Sequence, residues 1–179
     1  MNGKDEVRKK LKIKRRYFSG VRREFADGCI LDNFLLAYEG YDSFLVYNSF
    51  ADEADTKLLI TTLLSLGKRV YLPRVEGENI VAVPYGKTRK GAFGIDEPEG
   101  QAYFGKIDVT VIPLLAVNER GFRVGYGKGF YDRYLKDKPT QRVGLGYFFQ
   151  IENFNEDEPD ERLNSFVCEK GIYYYGTDT

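Results

Sequence analysis

Ten consecutive residues have the types and spacing to do chemistry together: Arg123-Val124-Gly125-Tyr126-Gly127-Lys128-Gly129-Phe130-Tyr131-Asp132. Glycines at 125, 127 and 129 strip the main chain of every second side chain, so it can take positive φ and come within hydrogen-bond distance of an anion. Arg123 adds a forked cationic donor and Lys128 a point charge. Asp132 could hold Mg²⁺, which accepts one or two carboxylates and keeps most of its waters. The combination suits a phosphorylated ligand that carries a divalent cation. A glycine cluster also marks an ordinary tight turn, and neither the dinucleotide GxGxxG nor the Walker GxxxxGK[ST] spacing is present. What favours anion binding is the crowding of cations, rings and a carboxylate into the same window.

The turn needs elements to present it. Residues 108–115 (DVTVIPLL) form a β-branched apolar run of strand length, and 130–136 (FYDRYLK) have the spacing of a helix start. That order places the glycines at a helix N-terminus, where unpaired N–H groups and a partial positive charge favour phosphate. Helices are expected over 4–18, with Val7, Leu11 and Ile13 as its apolar positions, and over 22–38, with Phe25, Ile30, Phe34 and Leu35 inward. A third, capped by Asp52 or Asp55, runs through Leu66 to Gly67. Strands are expected at 43–47, 69–73, 80–84, 142–146, 164–169 and 171–175, with 85–105 and 147–162 as loops, and Pro98 keeps Glu97 extended. The alternation describes one three-layer α/β/α domain over 1–179 with a mostly parallel central sheet, and the turn at the carboxyl ends of its strands. Lys4 and Arg8, at i and i+4, share one helix face; by charge alone they read as part of a solvated stripe.

Composition narrows the partners. The 27 basic and 27 acidic residues cancel, which argues against a nucleic-acid-binding module. Histidine is absent, and with it the commonest general base and any histidine metal site or triad. Cys29 and Cys168, flanked by apolar residues, read as buried free thiols. The amino terminus is too charged for a signal peptide and no apolar run approaches membrane-spanning length, so a cytoplasmic protein without a membrane partner is expected.

Residues 112–135, IPLLAVNERGFRVGYGKGFYDRYL, closely resemble the signature of the 5-formyltetrahydrofolate cyclo-ligases. Other pieces follow in that family's order: Lys4 and Arg8 of a KxxxR, Glu53, Asp55 and Thr56 of an ExDT, Leu72-Pro73-Arg74, and Gly94, Ile95, Glu97 and Pro98 of a GIxEP. The resemblance covers nearly the whole chain. It implies a Rossmann-like fold and the ATP- and Mg²⁺-dependent closure of 5-formyltetrahydrofolate to 5,10-methenyltetrahydrofolate, with release of ADP and phosphate. It implies ATP contacts from Lys4, Arg8, Arg123, Val124, Gly125, Tyr126, Gly127, Lys128, Gly129, Phe130 and Tyr131. It points Phe50, Asp55 and the run Tyr126, Gly127, Lys128, Gly129, Phe130 at the folate. Mg²⁺ falls to Asp132 and to an acid in the 155–161 run, best matched by Asp160, where Pro159 replaces the family's usual histidine. Arg123, Lys128 and Tyr131 are the residues expected at the reacting groups, Lys128 as an assistant because relatives differ there. The implied partners are ATP and the folate, polyglutamylated or not, bound by a monomer. Two other readings stand beside this one. One is a non-catalytic folate- or nucleotide-binding regulator on the same scaffold, and the other a sugar-phosphate or acyl-CoA enzyme of similar topology that would need no ATP.

Overall fold

A computed structural model describes residues 3–155 and 160–176. In chain order the elements are α1 (Lys4–Tyr17), α2 (Val21–Tyr38), β1 (Ser43–Val46), α3 (Lys57–Ser65), β2 (Arg69–Glu76) and β3 (Asn79–Pro84). Then come β4 (Thr88–Lys90), β5 (Asp96–Pro98), β6 (Val109–Ile112), β7 (Ala116–Val117), β8 (Arg123–Val124), α4 (Phe130–Leu135), β9 (Gln141–Leu145), β10 (Ser165–Cys168) and β11 (Gly171–Tyr174).

Seven strands form one sheet in the order β11-β10-β9-β6-β1-β2-β3. The inner five are parallel, while β11 and β3 close the two edges antiparallel. Every residue of β1, β6 and β10 is buried, as expected of parallel strands covered on both faces. On one face Phe44, Val46, Val70, Leu72, Val109, Val111 and Val143 pack under Ile30, Phe34 and Tyr38 of α2 and Leu59, Ile60 and Leu63 of α3. On the other, Leu45, Tyr71 and Ala82 meet Ile107 and Tyr134, and Ile112 and Phe166 meet Leu135. That second layer is thin. Its helix against the sheet, α4, has six residues, and α1 packs through Val7 and Leu11 on Ala116 and Val124 of the β7–β8 hairpin.

The chain leaves β1 through α3 to reach β2 on one side, and leaves β6 through α4 to reach β9 on the other. The crevice between the carboxyl ends of β1 and β6 is therefore the topological switch point, where sheets of this kind place their ligands.

Several local expectations change. Phe25 is 73% exposed and Ile13 56%, because the buried stripe of α2 runs Ala26, Ile30, Phe34, Tyr38, and that of α1 runs Val7, Leu11, Arg15. The 85–105 loop contains the β4–β5 hairpin, and the run before the glycines contains β7–β8. Asp55 accepts the Lys57 N–H at 2.8 Å at the foot of α3, whereas Asp52 turns away to pair with Arg15. Cys168 is buried and Cys29 half-buried, and both are free thiols. Most of the acidic run, 156–159 including Pro159, lies outside the described residues. Among those that are described, no helix is long and apolar enough to cross a membrane.

Candidate active site

A cavity of about 570 Å³ opens at the switch point. Tyr47 and Asn48 after β1 and Pro113 after β6 form its floor, one face of α1 and the glycine-rich turn form a wall, and the β4–β5 hairpin tip faces them.

At one end the cations and carboxylates are interlocked. Arg123 is only 7% exposed; its Nη2 donates to Asp132 Oδ1 and its Nη1 to the Glu161 carbonyl, each at 3.0 Å. The same Asp132 oxygen accepts the Glu161 N–H at 3.0 Å, so the first turn of α4 is tied to the segment that carries Asp160. Asp160 in turn pairs with Lys4. Arg8 reaches across from α1 to donate through Nε to the Gly125 carbonyl at 3.0 Å. Two basic residues one helical turn apart are thus fastened to two different segments at the same pocket end.

The turn itself stays open. Gly127 has φ 93°, and a Cβ there would meet nothing nearer than the Arg8 guanidinium at 3.9 Å. Gly129 has φ 68°, and a Cβ there would strike Arg133 at 2.7 Å. Both positions favour glycine for conformation. Tyr126, Gly127 and Lys128 are exposed toward the cavity. Lys128 arches toward Phe93 at the hairpin tip, its Nζ 5.7 Å from the ring centroid. Phe93 holds a left-handed φ of 60°, an unusual conformation for a bulky residue.

The other end is a hydrogen-bonded network around a carboxylate. Glu53 accepts the Tyr126 hydroxyl at 2.6 Å through one oxygen and the Phe50 N–H at 2.8 Å through the other. Burial raises the Glu53 pKa against the opposing pull of those hydrogen bonds and of Arg15. Burial, then the Glu53 charge, pushes the phenols of Tyr126 and Tyr131 up, so both stay protonated and can donate. Arg15 is buried, holds Asp52 through Nε and Nη2, and lies 5.8 Å from the centroid of the Tyr126 ring.

Most of the residues singled out from sequence meet here: Lys4, Arg8, Phe50, Arg123, Gly125, Tyr126, Gly127, Lys128, Gly129, Phe130, Tyr131, Asp132 and Asp160 all line the one cavity. Two do not. Val124 points into the α1 core, and Asp55 is exposed at the start of α3, with Glu53 lining the cavity in its place. A loop that caps a helix at Asp55 leaves the side chain two residues earlier to turn inward. Arg15 and Phe93 are cavity residues that the sequence did not single out, and Glu53 and the buried Glu97, which accepts the Val75 N–H at 3.1 Å, line it from the ExDT and GIxEP pieces without having been given a role at the site.

Asp132 and Asp160 stand on the same wall, joined through Glu161. Mg²⁺ accepts one or two carboxylates and fills the rest of its shell with water or ligand oxygens, a requirement that this pair could meet. Among the described residues no group of three or more acidic, histidine or cysteine side chains stands together to form a cage.

A sequence model of the 5-formyltetrahydrofolate cyclo-ligase family matches residues 1–169. The chain belongs to that family. It is a ligase by that membership, and it shares 33% identity over 142 residues with the 5-formyltetrahydrofolate cyclo-ligase of Escherichia coli K12, covering 72% of this chain and 78% of that one. With the protein of the same name from Mycoplasma genitalium the match is 40% over 76 residues, 41% of this chain and 46% of that protein, so it spans less than half of that relative. The solution structure of Aquifex aeolicus 5,10-methenyltetrahydrofolate synthetase superposes with a TM-score of 0.87 at 31% identity, covering 98% of this chain and 94% of that one. A 5,10-methenyltetrahydrofolate synthetase from Mycoplasma pneumoniae shares the fold, with a TM-score of 0.77 at 22% identity over 93% of this chain and 98% of that one.

Proposed function

We propose that this enzyme joins 5-formyltetrahydrofolate and MgATP to give 5,10-methenyltetrahydrofolate, ADP and phosphate. The observation that carries the reading is convergence: the open glycine turn, Lys4 and Arg8 on α1, and the Arg123–Asp132 pair border one cavity that also contains a separate, aromatic and carboxylate-lined end.

The chemistry follows from the substrate. A formamide nitrogen donates into its carbonyl, so the formyl carbon is a poor electrophile and N10 cannot close the ring unaided. Transfer of the γ-phosphoryl group to the formyl oxygen forms an O–P bond, breaks the bond to ADP and leaves an iminium phosphate. N10 then attacks the formyl carbon, the C–O bond breaks, and phosphate leaves with the original formyl oxygen and the N10 proton. Neither step requires a strong protein base, so a chain without histidine is equipped for both.

Phosphoryl transfer needs positioning and charge neutralisation more than covalent help. Lys4, Arg8 and the amides of 125–129 would grip the triphosphate, with Lys128 assisting at its outer end. Asp132 and Asp160 would hold Mg²⁺, which supplies neutralisation of the phosphate charge. Arg123 keeps Asp132 in register, and its positive charge would help neutralise the transferred group. Tyr131 stays protonated and would present a donor toward the formyl group, while Tyr126, whose hydroxyl already donates to Glu53, would offer its ring face. Glu53, rather than Asp55, would accept hydrogen bonds from the pterin, beside Phe50. Both cysteines are free, as in an enzyme of a reducing compartment such as the cytoplasm, and a monomer contains every residue the scheme uses.

The test is direct. Protein, Mg²⁺, ATP and 5-formyltetrahydrofolate should give the near-ultraviolet absorbance of the methenyl product together with one ADP per turnover. Bound nucleotide or folate without product would reduce the protein to a non-catalytic binder.

A further inference from the structure

We propose that Lys12 and Arg16 form a carboxylate track that takes the glutamate tail of the folate, distinct from the triphosphate grip at Lys4 and Arg8. The inference rests on the proposed substrate, whose p-aminobenzoyl glutamate ends in two carboxylates.

Helix α1 carries a base at every fourth position, Lys4, Arg8, Lys12 and Arg16, and all four border the cavity. Successive members are displaced by about 6 Å along the helix axis. The first two are engaged at the phosphate end, Lys4 with Asp160 and Arg8 with Asp5 and the Gly125 carbonyl. Lys12 and Arg16 are exposed, and among the described residues neither makes an ion pair or a side-chain hydrogen bond. Lys10, on the far side of the helix, shows what a merely structural base does here, since it pairs with Glu152.

Their end of α1 is fixed against the folate side. Arg15, next to Arg16 in the chain, holds Asp52, two residues from Phe50 and adjacent to Glu53. The nearby acids are already satisfied, Asp52 by Arg15 and Glu53 by Tyr126, so they do not neutralise the two free bases. A pterin against Glu53 with its formyl group toward the glycine turn leaves the tail to leave along α1. Adenine, which is uncharged, gives no reason for two uncompensated cations. Because both side chains are solvated, their attraction to carboxylates is moderate and screened by salt. A track of this kind also favours folates that carry further glutamates, since each adds a carboxylate in an open channel.

The experiment compares wild type with the Lys12→Gln/Arg16→Gln double variant on three substrates: 5-formyltetrahydropteroate, which lacks glutamate, and the mono- and triglutamyl forms of 5-formyltetrahydrofolate. The variant should raise KM for the monoglutamate roughly tenfold, the scale of a lost charge-assisted contact, and more for the triglutamate. It should leave kcat, KM for ATP and KM for the pteroate within about twofold, a split that a general structural defect would not produce. In the wild type, added salt at saturating ATP should raise KM for the glutamylated substrates and not for the pteroate. Equal KM increases on pteroate and glutamate forms, or a rise in KM for ATP instead, would overturn the track. If wild type yields no methenyl product, the proposed function fails on its own account, and equilibrium binding of the same three folates to both proteins decides the track.

Discussion

The two faces of the sheet are built differently. Under α2 and α3 the packing is apolar and closed, with Phe34, Phe44, Val46 and Leu63 all fully buried. Over the opposite face a six-residue helix and two short hairpins replace a full layer, and polar pairs do the joining: Arg15 with Asp52, Tyr126 with Glu53, Arg123 with Asp132. The closed face supplies cohesion. The thin face leaves room above the switch point, and its side chains are held by directional bonds that fix where charges point, which a catalytic site needs more than density.

If that division is right, substitutions on the two faces should fail in different ways. Phe34→Ala empties a closed core site and should cost about 3–5 kcal/mol in denaturant unfolding, while KM values of the folded fraction stay near wild type. Arg123→Ala and Asp132→Ala should each lower kcat by roughly 100-fold or more, the scale of removing a group that stabilises developing charge, with the circular dichroism of the native fold retained. Near-native turnover in both would break the comparison. Tyr126→Phe removes one of the two hydrogen bonds to Glu53 and should raise KM for the folate by a few-fold, about the worth of one hydrogen bond, without moving KM for ATP.

The smallest effect is on pH dependence. Burial raises the Glu53 pKa, so in the native state this carboxyl keeps its proton at a pH where the unfolded chain has lost it. Wild-type stability relative to Glu53→Gln should therefore be highest below the ordinary carboxylate range and fall as pH rises through the raised value. A difference that grows with pH would show that Glu53 is held by its donors more strongly than burial opposes it.

How far the sequence could be read tracks how local the cause was. The parallel strands were legible because burial on both faces leaves continuous runs such as SFLV and VTVI, and the glycine turn because alternate glycines state a main-chain need. The β7–β8 hairpin was hidden because strands of two residues carry no period. Phe25 was misread as inward because its helix has apolar residues on more than one side, and only the sheet decides which stripe is covered. The exchange of Asp55 for Glu53 turned on one capping hydrogen bond. Arg15 read as one of many bases on α1 until the fold brought Asp52, 37 positions away, against it.

The central claim is that this cavity delivers the γ-phosphoryl group to the formyl oxygen. Turnover of 5-formyltetrahydrofolate labelled with ¹⁸O in the formyl group, followed by mass spectrometry of the released phosphate, tests it most directly. The account requires the label to appear in phosphate, one atom per ADP formed. Unlabelled phosphate, with the heavy oxygen released to water, would contradict it.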